Sequence, residues 1–285
     1  MVKEGSFSWQ TLLSGLPEKR PLIAGIVNAT PDSFSDGKGS VETAERVAFA
    51  LQLLKEGADI LDIGAESTRP GAEEVAPDEE WQRLEGVLAG VLAQVPKAVI
   101  SIDTRHAVTA QRALELGAKI INDVSGLTFD PAMREVVARH SCGVIISHTT
   151  ADPQVMQQKE HRLDENVVEL VENSLQELVD KALAANIKKS SIMLDVGIGF
   201  GKSRQANYEL LRNARRFEEK FNLPFCWGVS RKSLLAGSPD TMEKRIAGSL
   251  ALAVKLAENN VSLLRVHDVA ATVAALTAAR EFSNQ

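Results

Sequence analysis

Mainly apolar, β-branched-rich runs recur eight times along the chain, at residues 22–27, 59–63, 98–102, 119–121, 143–146, 191–194, 225–229 and 262–266. None alternates apolar with polar, so each predicts a parallel strand covered on both faces. After each run the pattern changes to a helical period with charge on one face, over 41–56, 78–94, 107–117, 131–139, 163–185, 207–221, 242–258 and 269–280. Gly57, Gly117 and Asn260 stand just past helix ends, where a left-handed residue is easily accommodated. Eight βα units in an unbroken row predict an α/β chain folded as a single (β/α)8 TIM barrel. An open doubly wound sheet is the alternative, but it carries a Gly-rich fingerprint after its first strand, and here that strand ends in Ile26-Val27-Asn28-Ala29-Thr30. No Pro/Gly/Ser-rich linker divides the chain. The reading is a barrel over 21–285 with an N-terminal extension over 1–20, whose Trp9, Leu12 and Leu13 pack on the barrel.

Composition narrows the class. The 285 residues are 44% hydrophobic and 25% charged, with a formal charge of −6, which excludes a disordered or fibrous chain and argues against a general nucleic-acid or anionic-membrane binder. No stretch approaches the ~18 apolar residues of a membrane span, and the first 20 residues, with Glu4 and no apolar segment, are not expected to be a signal peptide. Cys142 and Cys226 form no CxxC pair, which fits a reducing cytoplasm.

The chemistry is positional. Polar residues cluster at the C-terminal end of nearly every predicted strand: Asn28, Glu66 and Arg69, Asp103, Asn122 and Asp123, His148, Asp195, Ser230-Arg231-Lys232, then Arg265 and His267. In a barrel these ends converge on one face, where βα loops build active sites. Singly, Asp103 and Asn122 also read as helix N-caps, His148 as a hydrogen-bonded core histidine, and Arg265 as the partner of a carboxylate. Independent capping would not bring arginine, lysine and histidine to the same face. Arg69, Lys232, Arg265 and His267 suit phosphate oxygens, while Asp103, Asn122 and Asp195 suit the N–H and ring-nitrogen edge of a flat heterocycle.

The run Gly197-Ile198-Gly199-Phe200-Gly201-Lys202-Ser203 is not a Walker A loop, because Val196 stands where its first glycine belongs. It reads equally as a flexible turn or as a backbone that a ligand approaches closely, with Phe200 stacking on a planar group. No metal-ligand spacing occurs, so a divalent cation would bind mainly through substrate phosphates.

Seven motifs in order make the chain resemble the dihydropteroate synthase family, pterin-binding barrels of folate biosynthesis, from about Pro21 to Arg280. They begin at Gly25-Ile26-Val27-Asn28-Ala29-Thr30-Pro31-Asp32-Ser33-Phe34-Ser35-Asp36-Gly37 and Gly64-Ala65-Glu66-Ser67-Thr68-Arg69-Pro70-Gly71-Ala72. Next come Ser101-Ile102-Asp103-Thr104, Ile121-Asn122-Asp123 and Leu194-Asp195-Val196-Gly197-Ile198-Gly199-Phe200-Gly201-Lys202. Ser230-Arg231-Lys232-Ser233 and Arg265-Val266-His267-Asp268 complete the set.

The resemblance implies SN1-like condensation of 6-hydroxymethyl-7,8-dihydropterin diphosphate with 4-aminobenzoate, giving 7,8-dihydropteroate and pyrophosphate with Mg2+. It implies that Asp103, Asn122, Asp195 and Lys232 bind the pterin, and that Asn28, Arg69, Arg265 and His267 hold the diphosphate, with Asn28 also at Mg2+. Phe200, Pro70, Thr68 and Ser233 would frame the aminobenzoate, with Thr30 also in contact with substrate. Asp32, Phe34 and Asp36 would lie on a first loop that closes with a second over the reacting centre. Asp103, Lys232, Arg265, His267 and Asp36 carry the implied catalysis, and Arg265→Ala is expected to abolish turnover with the fold intact. The family also implies a homodimer joined through late helices.

The chain departs from the family pattern at Ser147-His148-Thr149 (usually Met-His-Met), at Ala151-Asp152-Pro153 and at Asp195-Val196-Gly197. Ser147 makes the expected pocket more polar. Two rivals share the pterin pocket. A pterin-dependent corrinoid methyltransferase domain should lack Ser230-Arg231-Lys232 and Ser67-Thr68-Arg69-Pro70, and a non-catalytic pterin-binding protein should lose a diphosphate ligand. All these residues are present.

Overall fold

The computed structural model describes residues 6–16, 20–30, 39–66, 74–152, 154–235, 237 and 239–283. Its eight strands are all parallel and close in chain order into one barrel: β1 (Leu22–Asn28), β2 (Ile60–Gly64), β3 (Ile100–Asp103), β4 (Ile120–Asp123), β5 (Gly143–Ser147), β6 (Ile192–Asp195), β7 (Phe225–Trp227) and β8 (Leu263–Val266). The closing pair sets Leu22 beside Leu263 and Ala24 beside Arg265. The helices are α1 (Trp9–Ser14), α2 (Gly39–Lys55), α3 (Pro77–Gln94), α4 (Ala107–Leu116), α5 (Met133–His140), α6 (Val167–Ala184), α7 (Arg204–Arg212), α8 (Ala214–Phe221), α9 (Met242–Glu258) and α10 (Val269–Ser283). Gly57, Gly117 and Asn260 all take positive φ, as their places past helix ends require.

Two apolar layers result from the period-two alternation of the strands. Outward residues such as Ile63, Ile102, Ile121, Ile146 and Leu194 form the large core under the helices. Inward residues Leu22, Ala24, Ile60, Ile120, Ile145, Met193, Cys226 and Leu263 fill the barrel's lower half, where Trp9 joins them. The Trp9 indole donates to the Ser191 carbonyl at 2.8 Å, so α1 plugs the N-terminal end. Further up, the same inward rows become polar: Asp62 after Ile60, Asn122 after Ile120, Ser147 after Ile145, Asp195 after Met193 and Arg265 after Leu263. A dry apolar layer therefore lies beneath a charged mouth.

Two expected helices are corrected. The pattern over 207–221 is two helices meeting at Asn213, whose side-chain amide donates to the Glu209 carbonyl at 2.9 Å and ends α7 while the residue also stands at the start of α8. The helix expected from 163 starts at Val167, because Leu163 forms a parallel bridge with Lys202. Its N–H donates to Gly201 O at 2.9 Å, and its carbonyl accepts from Ser203 N at 3.0 Å. That bridge clamps the glycine-rich loop after β6.

Candidate active site

A connected chain of charge lies across the upper barrel. Arg265, inside β8, donates from Nε to Asp62 Oδ2 at 2.5 Å and from NH2 to Asp103 Oδ2 at 2.6 Å. Asn122 Nδ2 donates to the same Asp62 oxygen at 3.2 Å. Four strands thus contribute to one network, and neither Asp103 nor Asn122 caps a helix. Two carboxylates share one guanidinium, so the floor of this cup carries excess negative charge whenever Asp103 is ionised. Burial pushes Asp103 up to about 7, opposed by Arg265 and reinforced by Asp62. Burial also works against the charged form of Arg265, but Asp62 and Asp103 outweigh it and hold the guanidinium protonated.

Asp195 and Lys232 form the facing wall. Asp195 Oδ1 accepts from Gly197 N at 2.7 Å. Burial raises its pKa, while that bond, Lys232 and Arg265 pull it down. Lys232 Nζ donates to Ile198 O at 2.6 Å and lies 4.8 Å from the Phe200 ring centroid. Burial lowers its pKa to about 8 despite Asp195. Its neighbour Arg231 turns away into a pair with Asp268, with Nε to Oδ2 at 2.9 Å, so of those two cations Lys232 faces the mouth. Ser147 ends β5 in register with Asp195 and sets a hydroxyl-bearing residue on the inward row.

His267 Nδ1 lies 3.0 Å from Ser230 Oγ, which also accepts the His267 N–H. Asn28 is exposed at the end of β1, Thr30 O accepts from Arg46 at 2.6 Å, and Ser233 is exposed in the turn after Lys232. Asp32, Phe34, Asp36, Thr68, Arg69 and Pro70 lie outside the described residues. Asp123 belongs to a turn: its Oδ1 accepts from Ser125 N and Oγ at 2.7 and 2.6 Å.

The glycine-rich loop has an internal reason for its glycines. A Cβ on Gly197 would lie 1.8 Å from His148 O, and one on Gly201 would lie 1.7 Å from Thr150 Oγ1; both residues have positive φ. The buried Lys202 holds this loop together. Its Nζ donates to Phe200 O at 2.8 Å, Gly197 O at 2.9 Å and His148 O at 3.5 Å, so each of the three ammonium protons has a carbonyl. His148 differs from a fully bonded core histidine, because its buried Nδ1 has no partner. Burial and then Lys202 drive its pKa well down, which keeps the ring neutral.

Lys202→Met is expected to strand these carbonyls. Each buried acceptor left unpaired costs about 1–3 kcal/mol, so the melting temperature should fall by several degrees. Pterin binding should weaken because Ile198 O, the acceptor for Lys232, belongs to the same loop. Calorimetric melting together with pterin titration checks both effects, and an unchanged melting temperature would show that the loop holds itself.

Asp62 and Lys202 were not singled out as site residues from the sequence. The signal for Asp62 was a lone carboxylate inside the apolar run Ile60-Leu61-Asp62-Ile63. Glu80, on α3, was also passed over. It is fully buried and accepts from Thr104 Oγ1 at 2.9 Å, while its other oxygen has no partner. Burial pushes it up to about 7. A carboxyl raised in the folded state stabilises below its unfolded pKa and loses that contribution as pH rises through the folded value. Glu80→Gln keeps the acceptor for Thr104 and cannot ionise. The variant should therefore gain stability on the native protein between pH 5 and pH 8, by about 1–3 kcal/mol. Parallel melting curves against pH would show no Glu80 contribution at all.

Carboxylates, an amide and cations thus converge in the mouth of a (β/α)8 barrel, the end at which barrel enzymes build their active sites. The family described as pterin binding enzyme matches residues 24–267. Among similar proteins, dihydropteroate synthase of Neisseria meningitidis serogroup C is 42% identical over 276 residues, covering 95% of each chain. The Xanthomonas albilineans dihydropteroate synthase structure with 4-aminobenzoic acid superposes with a TM-score of 0.84 at 38% identity, covering 93% of this chain and 94% of that one. The structure of the same enzyme in complex with 7,8-dihydropteroate gives 0.81 at 36% identity, covering 96% and 98%. The chain belongs to the dihydropteroate synthase family.

Proposed function

We propose that the protein condenses 6-hydroxymethyl-7,8-dihydropterin diphosphate with 4-aminobenzoate to 7,8-dihydropteroate and pyrophosphate. The observation that carries this reading is the Asn122–Asp62–Arg265–Asp103 network facing Asp195 and Lys232. Asp103, Asn122 and Asp195 offer acceptors and an amide to the amino-pyrimidine edge of the pterin. Arg265, His267, Arg69 and Asn28 take the diphosphate, and Thr68, Pro70, Phe200 and Ser233 frame the aminobenzoate, with Thr30, Phe34 and Asp36 also serving the substrates. Cationic donors stabilise charge developing on the departing oxygens. Excess negative charge on the floor favours the pterin-methylene cation left when the C–O bond breaks; the aniline nitrogen attacks it, and the surplus nitrogen proton passes to the released pyrophosphate or to water. An aromatic amine is already an adequate nucleophile for such a cation, so no strong general base is required.

The described residues include no group of three His, Cys, Asp or Glu side chains that could hold a metal ion. The exposed Asn28 amide at the end of β1 fits an Mg2+ carried mainly by the substrate's phosphates. When bound, the ion neutralises charge on the leaving pyrophosphate.

No helix among the described residues is long and apolar enough to cross a membrane. The two free, buried cysteines suit a reducing cytoplasm. The protein is taken as a homodimer through its late helices, which sedimentation at micromolar concentration would test. The activity test is pyrophosphate release from the two substrates with Mg2+. Methyl transfer from methyltetrahydrofolate without pyrophosphate release would favour the corrinoid-methyltransferase reading, and pterin binding without turnover a non-catalytic one.

A further inference from the structure

The start of α7 sends one side-chain amide into the glycine-rich loop. Asn207, on the first turn of that helix, is only 2% exposed. Its Oδ1 accepts from Gly199 N at 2.6 Å, while its Nδ2 donates to Ser203 O at 2.8 Å and to Lys202 O at 3.1 Å. Facing one N–H and two carbonyls, the amide has a single orientation that satisfies all three. The peptide unit that supplies the Gly199 N–H also supplies the Ile198 carbonyl, which accepts from Lys232 Nζ at 2.6 Å. In a trans peptide the N–H and the C=O point in opposite directions from one rigid plane. Asn207 and Lys232 therefore grip the same peptide from its two sides. A Cβ on Gly199 would stand 3.3 Å from Lys232 Nζ and 3.4 Å from its Cδ, so the lysine chain lies against this unit and a side chain there would crowd it. The turn that carries Lys232 is anchored separately, by Leu235 N to Lys232 O at 3.1 Å and by Tyr208 Oη to Leu234 O at 3.4 Å.

We infer that Asn207 is a positioning residue for Lys232, fixing the Ile198–Gly199 peptide so that its carbonyl holds the Lys232 ammonium at the pterin cup. Its three bonds all go to the loop and the start of α7, so it acts on the site only through that peptide. A hydrogen bond at the N–H polarises the unit and makes its carbonyl a stronger acceptor. Gly197 and Gly199, both at positive φ, leave the unit free to turn once the amide is gone, while the separately anchored lysine stays in place. The charged and titratable groups facing Lys232 are Asp195 and Lys202 from β6 and its loop, Cys226 from β7, Arg265 from β8 and Asp103 from β3. Substitution at 207 alters none of them. The inference deepens the proposed function and rests on the assignment of Lys232 to the pterin.

The test uses Asn207→Leu, which removes all three bonds, and Asn207→Asp, which keeps an acceptor for Gly199 N and gives up the amide donors. Both should melt several degrees below the native protein, because buried carbonyls lose partners in each. Protonation of Lys232 is followed by NMR of 13C-labelled lysine in the ligand-free protein, with the signal assigned by its loss in Lys232→Met. The native group titrates at about 8. In Asn207→Leu it should give up its proton about one pH unit lower, since a contact made to the charged form is lost. In Asn207→Asp it should stay or rise, because the acceptor remains and any added charge is negative. Calorimetric affinity for 6-hydroxymethyl-7,8-dihydropterin should fall about tenfold in Asn207→Leu and by no more than about twofold in Asn207→Asp. Gln157 Nε2 donates at 2.8 Å to Gly199 O, which belongs to the following peptide, so Gln157→Ala should leave the Lys232 titration unchanged. A Lys232 unmoved in Asn207→Leu, lowered in Asn207→Asp, or lowered equally in Gln157→Ala would each overturn the inference, because a merely loosened loop makes no such distinction. Titrations that differ as stated in a protein that binds no pterin would uphold the link between Asn207 and Lys232 and remove the pterin assignment instead.

Discussion

Arg265→Ala is expected to lose two to three orders of magnitude in turnover and to melt well below the native protein. The first loss follows from the proposed role: one donor aimed at developing oxyanion charge is worth about 2.7–4 kcal/mol. The second is visible only in the fold. Removing the guanidinium leaves Asp62 and Asp103 together in the barrel, 1% and 10% exposed at the side chain, with no cation between them. Breaking a buried pair in this way costs about 3–5 kcal/mol, which revises the expectation that the fold is untouched. Deprived of Arg265, Asp103 takes up a proton more readily, so the melting deficit should be greater at pH 8 than at pH 5.5. Adding Asp62→Asn should recover much of the stability and none of the turnover. Near-native pyrophosphate release from Arg265→Ala would remove the diphosphate assignment, and an unchanged melting curve would contradict the charge network.

Asp103→Asn is expected to cut turnover about a hundredfold while changing pterin affinity far less. The amide oxygen can still accept from Arg265 NH2, now at 2.6 Å from Asp103 Oδ2, so the network keeps its shape. What disappears is the floor's excess negative charge, because Asp62 alone then balances Arg265. A unit charge roughly 5 Å from a developing cation, at an effective dielectric constant of about 20, contributes ~3 kcal/mol, or about two orders of magnitude in rate. Single-turnover rates set against calorimetric pterin affinity separate the two effects. A variant weakened only in binding would make Asp103 a recognition residue without a share in stabilising the cation.

Local pattern alone was sufficient for the architecture. Eight mainly apolar runs, each followed by an amphipathic helical period, leave little but a closed parallel barrel, since both sheet faces must be covered. Position at strand ends was likewise enough to mark Asp103, Asn122, Asp195, Lys232 and Arg265 as convergent. Capping chemistry at Gly57, Gly117 and Asn260 is set by residues within one turn, and it too was legible. Helix limits at 163 and 213 were not, because a bridge to Lys202 and a side-chain bond from Asn213 override the period.

Partnership was beyond the sequence for the same reason. Arg265 meets Asp62 across 203 residues and Asp103 across 162; only barrel closure and strand register bring them within hydrogen-bond reach. The same holds for Arg105 and Glu66, 39 residues apart, which share no element and no local period. Pattern along the chain determined which residues face the mouth of the barrel. Which carboxylate neutralises which cation, and how much charge is left for a substrate, was decided by the tertiary structure, because Coulomb energy and desolvation depend on distance and burial in space.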